Sequence, residues 1–202
     1  FYLTVPDVVQ ECFDELAALT GRQYSLVEYY GDPAAERVIV VMGSAWGTVR
    51  EGVDLLRAKG EKVGAVVVRM YRPFPTEQFL AALPKSVRSI AVLDRTKEPG
   101  APAEPLCMDV THAVASAAGT GVFERFPLLI GGRYGLSSKE FTPAMVAAVY
   151  AELEADNPRR SFTVGINDDV TRLSLPIDPA IRHESDAIGA VFFGLGADGT
   201  VG

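Results

Sequence analysis

Cysteine and histidine are scarce in this sequence, and their scarcity excludes several kinds of site. The 202 residues include two cysteines, Cys12 and Cys107, and two histidines. Two thiols cannot form a disulfide framework or the Cys-rich ligand set of a structural metal or an iron–sulfur cluster. A reducing, cytoplasmic compartment is the default expectation for a chain with so few cysteines.

Clustered positive charge and long apolar runs are lacking as well. The formal net charge is -7, and no cluster of Lys and Arg is available to neutralise phosphates, so we expect no nucleic-acid partner. No run approaches the roughly 20 apolar residues of a membrane-spanning helix, so we expect no membrane association. The chain begins with Phe1 and not with Met, which we interpret as the mark of a segment of a larger enzyme, with a processed or trimmed terminus as the alternative.

Short apolar runs, by contrast, are frequent, and helical patterns alternate with them. The runs predicted to be strands are residues 37–42, 63–68, 89–93, 127–130 and 162–166. Such alternation of strands and helices is typical of parallel βαβ units, and continuous β-branched runs are typical of strands buried on both faces. The sequence therefore predicts an α/β fold, an open and mostly parallel sheet with helices on both faces.

Turn and capping residues predict where the helices begin and end. Pro6 and Asp7 begin an N-terminal helix that we expect to end at Gly21 and to pack outside the sheet. Thr76 is the predicted cap of a short helix that continues to Leu83. Thr142, followed by proline, is an N-cap signal for a helix that we expect to end near residue 157.

The chain divides into four predicted parts. Residues 1–35 form an N-terminal helix and connector, and residues 36–167 form the α/β domain. Residues 168–186 show little periodicity and several turn signals, which indicates a linker. Residues 187–202 become apolar again and enter a glycine-rich loop, so we interpret them as the truncated beginning of a further domain.

Two glycine loops follow predicted strands, where backbone N–H groups and a helix dipole can meet a phosphate. Residues 43–48 lack the spacing of a dinucleotide fingerprint and the ending of a P-loop, which favours a tight turn with Trp46 packed nearby. Residues 196–202 combine three glycines with a carboxylate and a hydroxyl. For this second loop, ligand binding and a flexible turn stay open as alternatives.

Charged loops at the predicted strand ends are the other candidates, because open α/β sheets usually bind ligands there. For residues 94–100 the favoured interpretation is a solvated loop with local ion pairs. Arg133 would meet either an anion or a neighbouring carboxylate. Cys107 and His112 lie about 140° apart on one helix, so we expect no catalytic pair, and His183 lies in the predicted linker. We assign no catalytic residue and no metal ligand.

Several long stretches resemble the pyruvate:ferredoxin (flavodoxin) oxidoreductases, which are thiamine-dependent multidomain enzymes. The resemblance is carried by residues 68–75 (VRMYRPFP), 93–100 (LDRTKEPG), 104–106 (EPL), 131–141 (GGRYGLSSKEF) and 162–170 (FTVGINDDV). It implies that the α/β domain is similar to a transketolase C-terminal domain. It also implies that residues 187–202 open a gamma-type domain, whose glycine loop is associated with coenzyme A.

The resemblance implies a parent enzyme that converts pyruvate and coenzyme A to acetyl-CoA and CO2 and passes electrons to ferredoxin or flavodoxin. Thiamine diphosphate, Mg²⁺ and [4Fe–4S] clusters would then belong to other domains of the same polypeptide, and the parent would be a homodimer. This segment would be an architectural and docking domain, inactive by itself and without a cofactor of its own. The implied coenzyme A contacts are Gly196, Asp198, Gly199 and Thr200.

Two alternatives stay open at this point. The chain would be a C-terminal assembly domain of another thiamine enzyme, of the transketolase or E1 type. Otherwise it would be a stand-alone ligand-binding module that uses the loops around Asp94 and Arg133.

Overall fold

A single mixed sheet forms the centre of the protein. The computed structural model describes residues 1–168, 170–181, 188–191 and 193. Within these residues the strands are β1 (Val27–Gly31), β2 (Arg37–Val41), β3 (Val63–Val68), β4 (Ser89–Asp94), β5 (Leu128–Arg133) and β6 (Ser161–Thr163). They lie side by side in the order β1-β3-β2-β4-β5-β6. All neighbouring pairs are parallel except β1 and β3, which are antiparallel.

Helices cover both faces of this sheet, so the predicted fold class is confirmed. The helices are α1 (Val5–Thr20), α2 (Ala45–Arg57), α3 (Thr76–Ala82), α4 (Pro105–Ser116) and α5 (Pro143–Glu154). On one face, α2 and α5 pack against inward-pointing residues such as Ile39 and Val41, and on the other face α3 and α4 pack against residues such as Val38 and Val40. Alternate side chains of one strand therefore enter two cores, which explains the continuous β-branched runs. Each fully buried Val or Ile stabilises the fold by about 1.5–3 kcal/mol.

Strand β1 was not predicted, because the sequence analysis assigned residues 1–35 only a helix and a connector. This five-residue strand lies at the edge of the sheet, and four of its residues are only partly buried. It pairs along its length with β3, from Val27 opposite Val68 to Gly31 opposite Gly64. The sheet thus includes residues that precede the proposed boundary at residue 36, and the four domain boundaries themselves stay predictions.

Helix ends differ in detail from the predictions. Thr76 is the first residue of α3 and makes no capping hydrogen bond, so its predicted role as the cap is wrong; Pro75 occupies that position. Thr142 does occupy the N-cap position of α5, although its side chain caps no N–H group. Helix α5 ends at Glu154, earlier than expected. In α1 the left-handed Gly21, with φ 72°, ends the helix as predicted.

Helix α1 lies on the outside of the α3/α4 face. None of its residues, all of which the structure describes, is fully buried. Val5, Val9 and Phe13 contact the core of that face from outside. The described helices include none that is long and apolar enough to cross a bilayer.

The described residues that follow β6 pack against the α/β domain. Leu175 is buried, and Ile177 and Ile181 contact the α2/α5 core. Ser174 forms a parallel bridge with Thr163 at the end of β6. Residues 169 and 182–186 of the predicted linker and most of residues 187–202 lie outside the described residues.

Candidate functional site

The carboxyl ends of β2, β4 and β5 bring three of the predicted loops to one edge of the sheet. Asp94 lies opposite Arg133 in the register of β4 and β5, and β2 is the other neighbour of β4. The turn after β2, the loop after β4 and the loop after β5 therefore meet. A larger hollow of about 650 Å³ lies beside Ser89 and Leu128 at the other edge, where the amino ends of the strands lie and ligand sites are unusual.

Asp94 is buried and belongs to the interior of the fold. Its two oxygens accept the backbone N–H groups of Leu106 at 2.9 Å and Cys107 at 3.1 Å. Those are N–H groups of the first turn of α4, which a helix cannot satisfy by itself. Burial raises the pKa of Asp94, although the two N–H donors favour its ionised form. The prediction of a solvated loop is therefore wrong for Asp94, whereas residues 95–100 are exposed.

Arg133 meets a neighbouring carboxylate. Its Nη1 atom lies 3.0 Å from Oε1 of Glu104, and the side chains are 22% and 10% exposed. The second oxygen of Glu104 accepts the N–H group of Glu98 at 2.7 Å. Glu104 thus joins the loop after β4 to the end of β5, and of the two alternatives for Arg133 the structure shows the carboxylate.

The turn after β2 is tight, as the sequence interpretation favoured. Helix α2 begins at Ala45, so Trp46 belongs to its first turn. The indole packs edge-on against Tyr30, with ring centroids 6.3 Å apart. The Ser44 side chain occupies the N-cap position without capping any N–H group.

A cavity of about 180 Å³ opens between the three loops, and we call it the strand-end cavity. Its lining consists of Ser44, Ala45, Thr48, Arg95, Tyr134, Gly135, Lys139 and Phe141. Arg95 donates its Nε hydrogen to the carbonyl oxygen of Gly135 at 3.0 Å, which orients the guanidinium. Sequence reasoning missed Tyr134 and Lys139 as site residues. The stretch 131–141 was noticed, but nothing in its spacing showed that these side chains would face the start of α2.

Cys107 and His112 do not form a pair. Cys107 is buried beneath β5, and burial raises the pKa of its thiol. His112 is exposed on the same helix. Its exposure and the burial of Cys107 agree with the prediction made from their helical spacing.

The residues present do not fit an iron–sulfur cluster. A [4Fe–4S] cluster requires four thiolates, and of the two cysteines Cys12 is exposed on α1 while Cys107 is buried. Across the described parts of the chain, no three His, Cys, Asp or Glu side chains gather in a way that could hold a metal ion. The predicted coenzyme A contacts Gly196, Asp198, Gly199 and Thr200, and also His183, lie outside the described residues.

Part of the chain matches a solved structure. It is a 2-oxoglutarate:ferredoxin oxidoreductase from Magnetococcus marinus with 2-oxoglutarate, coenzyme A and succinyl-CoA bound. The match has a TM-score of 0.44 and 21% sequence identity, and it covers 70% of this chain and 21% of that one.

Comparison with protein families and curated sequences gives much stronger similarity. Residues 35–134 match the family model described as pyruvate:ferredoxin oxidoreductase core domain II. The whole chain is 58% identical to a pyruvate-flavodoxin oxidoreductase of Trichormus variabilis and 60% identical to that of Rhodospirillum rubrum. It is 51% identical to the pyruvate:ferredoxin oxidoreductase of Moorella thermoacetica. The chain spans about 17% of the length of each of these relatives.

These matches cover all of this chain, so the similarity extends beyond residues 35–134. Residues 35–134 therefore carry core domain II of the pyruvate:ferredoxin oxidoreductases, and the chain belongs to this family as a segment that corresponds to about 17% of its relatives' length.

Proposed function

We propose that the chain is an architectural and docking domain of a pyruvate:ferredoxin or pyruvate:flavodoxin oxidoreductase. The observation that carries this proposal is the identity of 58–60% with two such enzymes over all of the chain. The parent would convert pyruvate and coenzyme A to acetyl-CoA and CO2 in the cytoplasm and reduce ferredoxin or flavodoxin. Thiamine diphosphate, Mg²⁺ and the iron–sulfur clusters would be held by other domains, and the parent would assemble as a homodimer.

The contacts at the strand ends support an architectural role. Asp94 gives both oxygens to the backbone of α4, and Glu104 gives its two oxygens to Arg133 and to the backbone of Glu98. Charged groups that are engaged in this way hold loops in place and are not available to a substrate. These contacts also weigh against a stand-alone module that binds a ligand through Asp94 and Arg133. The other alternative, an assembly domain of a transketolase or E1 enzyme, has less support than membership of the pyruvate oxidoreductase family.

Helix α1 supports the docking role. Val8, Leu16 and Leu19 on this helix are 52%, 39% and 85% exposed, and Leu3 just before it is 93% exposed. Apolar side chains grouped on one surface commonly mark an interaction site. Because the relatives are about six times as long as this chain, we infer that another domain of the same polypeptide covers this surface.

The coenzyme A assignment concerns the end of the sequence. We propose that residues 187–202 open a gamma-type domain in which Gly196, Asp198, Gly199 and Thr200 contact coenzyme A, with backbone N–H groups and the Thr200 hydroxyl facing its phosphate oxygens. Glycine loops at helix starts bind phosphate in this manner. Coenzyme A titrated into a polypeptide extended past Gly202 should bind more weakly after Asp198→Ala or Thr200→Ala. Unchanged affinity in both variants would reject the assignment.

An assay of the full-length polypeptide tests the proposed activity. We expect CO2 release from pyruvate that depends on coenzyme A and on oxidised ferredoxin or flavodoxin, and a lower rate with 2-oxoglutarate. The 202-residue chain is the matched control and should be inactive with both substrates. Turnover by the chain alone, or turnover of 2-oxoglutarate but not of pyruvate by the full polypeptide, would contradict the proposal.

A further inference from the structure

We propose that the strand-end cavity binds a phosphate group. The proposed function assigns no ligand to this part of the fold, so the inference goes beyond it and does not depend on it. The cavity is bounded by Ser44 and Thr48 from the start of α2, by Arg95 after β4, and by Tyr134 and Lys139 after β5. Its volume of about 180 Å³ is below the roughly 300–1,000 Å³ of pockets for drug-sized ligands and suits a single small anion.

Two cations line the cavity without a carboxylate partner. Seven ion pairs join charged side chains in the described parts of the chain, and none includes Arg95 or Lys139. Gly135 occupies only the Nε hydrogen of Arg95, so the terminal nitrogens keep their hydrogens for another acceptor. Asp94, next to Arg95 in sequence, directs its oxygens to α4 instead. The positive charge in the cavity is therefore not neutralised by these neighbours.

Tyr134 adds a hydroxyl donor to the wall of the cavity. The side chain lines the cavity, is only 4% exposed, and packs at a tilt against Phe141, with ring centroids 4.6 Å apart. Its hydroxyl has no hydrogen-bond partner among the described residues, whereas the other fully buried tyrosine, Tyr150, donates to the Gly64 carbonyl at 2.8 Å. An anion in the cavity would accept the hydrogen of the Tyr134 hydroxyl.

The start of α2 adds backbone donors to the same cavity. The first N–H groups of a helix have no acceptor within the helix, and Ser44 does not cap them. Trp46 donates its N–H to the Gly43 carbonyl at 3.2 Å, which leaves other N–H groups of the first turn available. The helix dipole makes this end favourable for negative charge.

The arrangement of donors favours phosphate over carboxylate. The guanidinium, the ammonium, three hydroxyls and the helix N–H groups approach the cavity from three separate loops. A carboxylate offers two oxygens in one plane, whereas a phosphate group offers three or four in a tetrahedral arrangement and accepts donors from all these sides. The phosphate would come either from the free ion or from a small phosphate monoester.

Titration of the 202-residue chain with inorganic phosphate, followed by NMR of its backbone N–H groups, tests the proposal. We expect saturable binding that shifts the signals of Ala45 and Gly47. Because charge-assisted hydrogen bonds contribute strongly, Lys139→Ala and Arg95→Ala should each weaken binding about tenfold or more. Tyr134→Phe, which removes only the hydroxyl, should weaken it several-fold.

The controls distinguish specific binding in the cavity from non-specific electrostatic attraction of anions to the protein. Lys59→Ala removes the same charge at the far end of α2 and should leave the affinity unchanged. Acetate should bind at least about tenfold more weakly than phosphate, since it meets fewer donors. Glycerol phosphate that binds more tightly than the free ion would identify a monoester as the ligand, and weaker binding would identify the free ion. Equal affinity in wild type and Lys139→Ala, equal weakening by Lys59→Ala, or equal binding of acetate would overturn the proposal.

Discussion

At the scale of single residues, Asp94 shows how one side chain joins two elements of the fold. Its carboxylate ends β4 and accepts the N–H groups of Leu106 and Cys107 at the start of α4. The sequence predicted that this residue ends a strand beside a charged loop. Its burial could not be predicted, because the distance of twelve residues to Leu106 gives no sign that α4 returns to the end of β4.

Replacing Asp94 should destabilise the protein through these two hydrogen bonds. We expect Asp94→Ala to lower the free energy of unfolding by about 1–3 kcal/mol, because buried N–H groups lose their acceptors. Asp94→Asn keeps one acceptor oxygen and should lower the free energy of unfolding by a smaller amount. Urea unfolding measures both, with exposed Asp156→Ala as a control that should change stability by no more than about 0.5 kcal/mol. Equal losses in Asp94→Ala and Asp156→Ala would contradict the capping role.

The raised pKa of Asp94 also predicts a direction for the pH dependence of stability. Because burial raises the folded-state pKa above the unfolded value of about 3.9, the folded protein holds this proton more tightly. The contribution of Asp94 to stability is then fully present below the unfolded pKa and is lost as pH rises through the folded pKa.

Unfolding of wild type and Asp94→Asn in urea between pH 4 and pH 7 tests this sign, with both proteins measured at each pH. The stability of wild type relative to the variant should fall as pH increases from the lower limit and then become constant. A relative stability that increases with pH would indicate a lowered pKa and would contradict the prediction.

At the scale of secondary-structure elements, β6 places the ring of Phe162 over Gly132 of β5, its partner in the strand register. A Cβ atom on Gly132 would collide with the ring of Phe162, a fully buried residue of β6. Gly132→Ala should therefore lower the free energy of unfolding by about 1–3 kcal/mol. Thermal or urea unfolding measures this loss, and adding Phe162→Leu should restore part of it.

Gly47→Ala provides the matched control for that substitution. A Cβ atom on Gly47 would meet nothing within 4 Å, and Gly47 lies within α2. Alanine there should stabilise the protein by about 0.5–1 kcal/mol. Loss of stability in Gly47→Ala as large as that in Gly132→Ala would show that steric contact with Phe162 is not the cause.

Helix α1 should be the least protected of the helices longer than ten residues. None of its sixteen residues is buried, whereas β2, β3 and β4 lie in the middle of the sheet. Elements with few buried contacts open locally at low free energy. In hydrogen exchange of the 202-residue chain, amides of α1 should exchange well before those of β3 and β4. Equal protection would mean that α1 unfolds only together with the sheet.

The elements differ in how far the sequence could predict them. Strands β2, β3 and β4 are buried on both faces, so their continuous apolar runs reveal them directly. Strand β1 depends on pairing with β3, which is more than thirty residues distant, and its five residues carry no such run. The strand-end cavity depends on contact between the start of α2 and the loop after β5, and local patterns do not encode that contact.

At the scale of the whole molecule, we propose that this domain supports a pyruvate oxidoreductase without taking part in its chemistry. The pairing of Arg133 with Glu104 holds two strand-end loops together. Removing the Arg133 charge leaves the buried carboxylate of Glu104 without its charged partner, which is destabilising. If the domain is architectural, this substitution should alter stability and leave catalysis in the folded enzyme unchanged.

The most direct test is to measure kcat for pyruvate and the thermal unfolding midpoint of the full-length polypeptide with Arg133→Gln, beside Arg22→Gln as an exposed control. An architectural domain predicts a lower midpoint for Arg133→Gln and a kcat, per folded enzyme, within about twofold of wild type. A kcat reduced by about tenfold or more at an unchanged midpoint would contradict the claim and place Arg133 in the catalytic machinery.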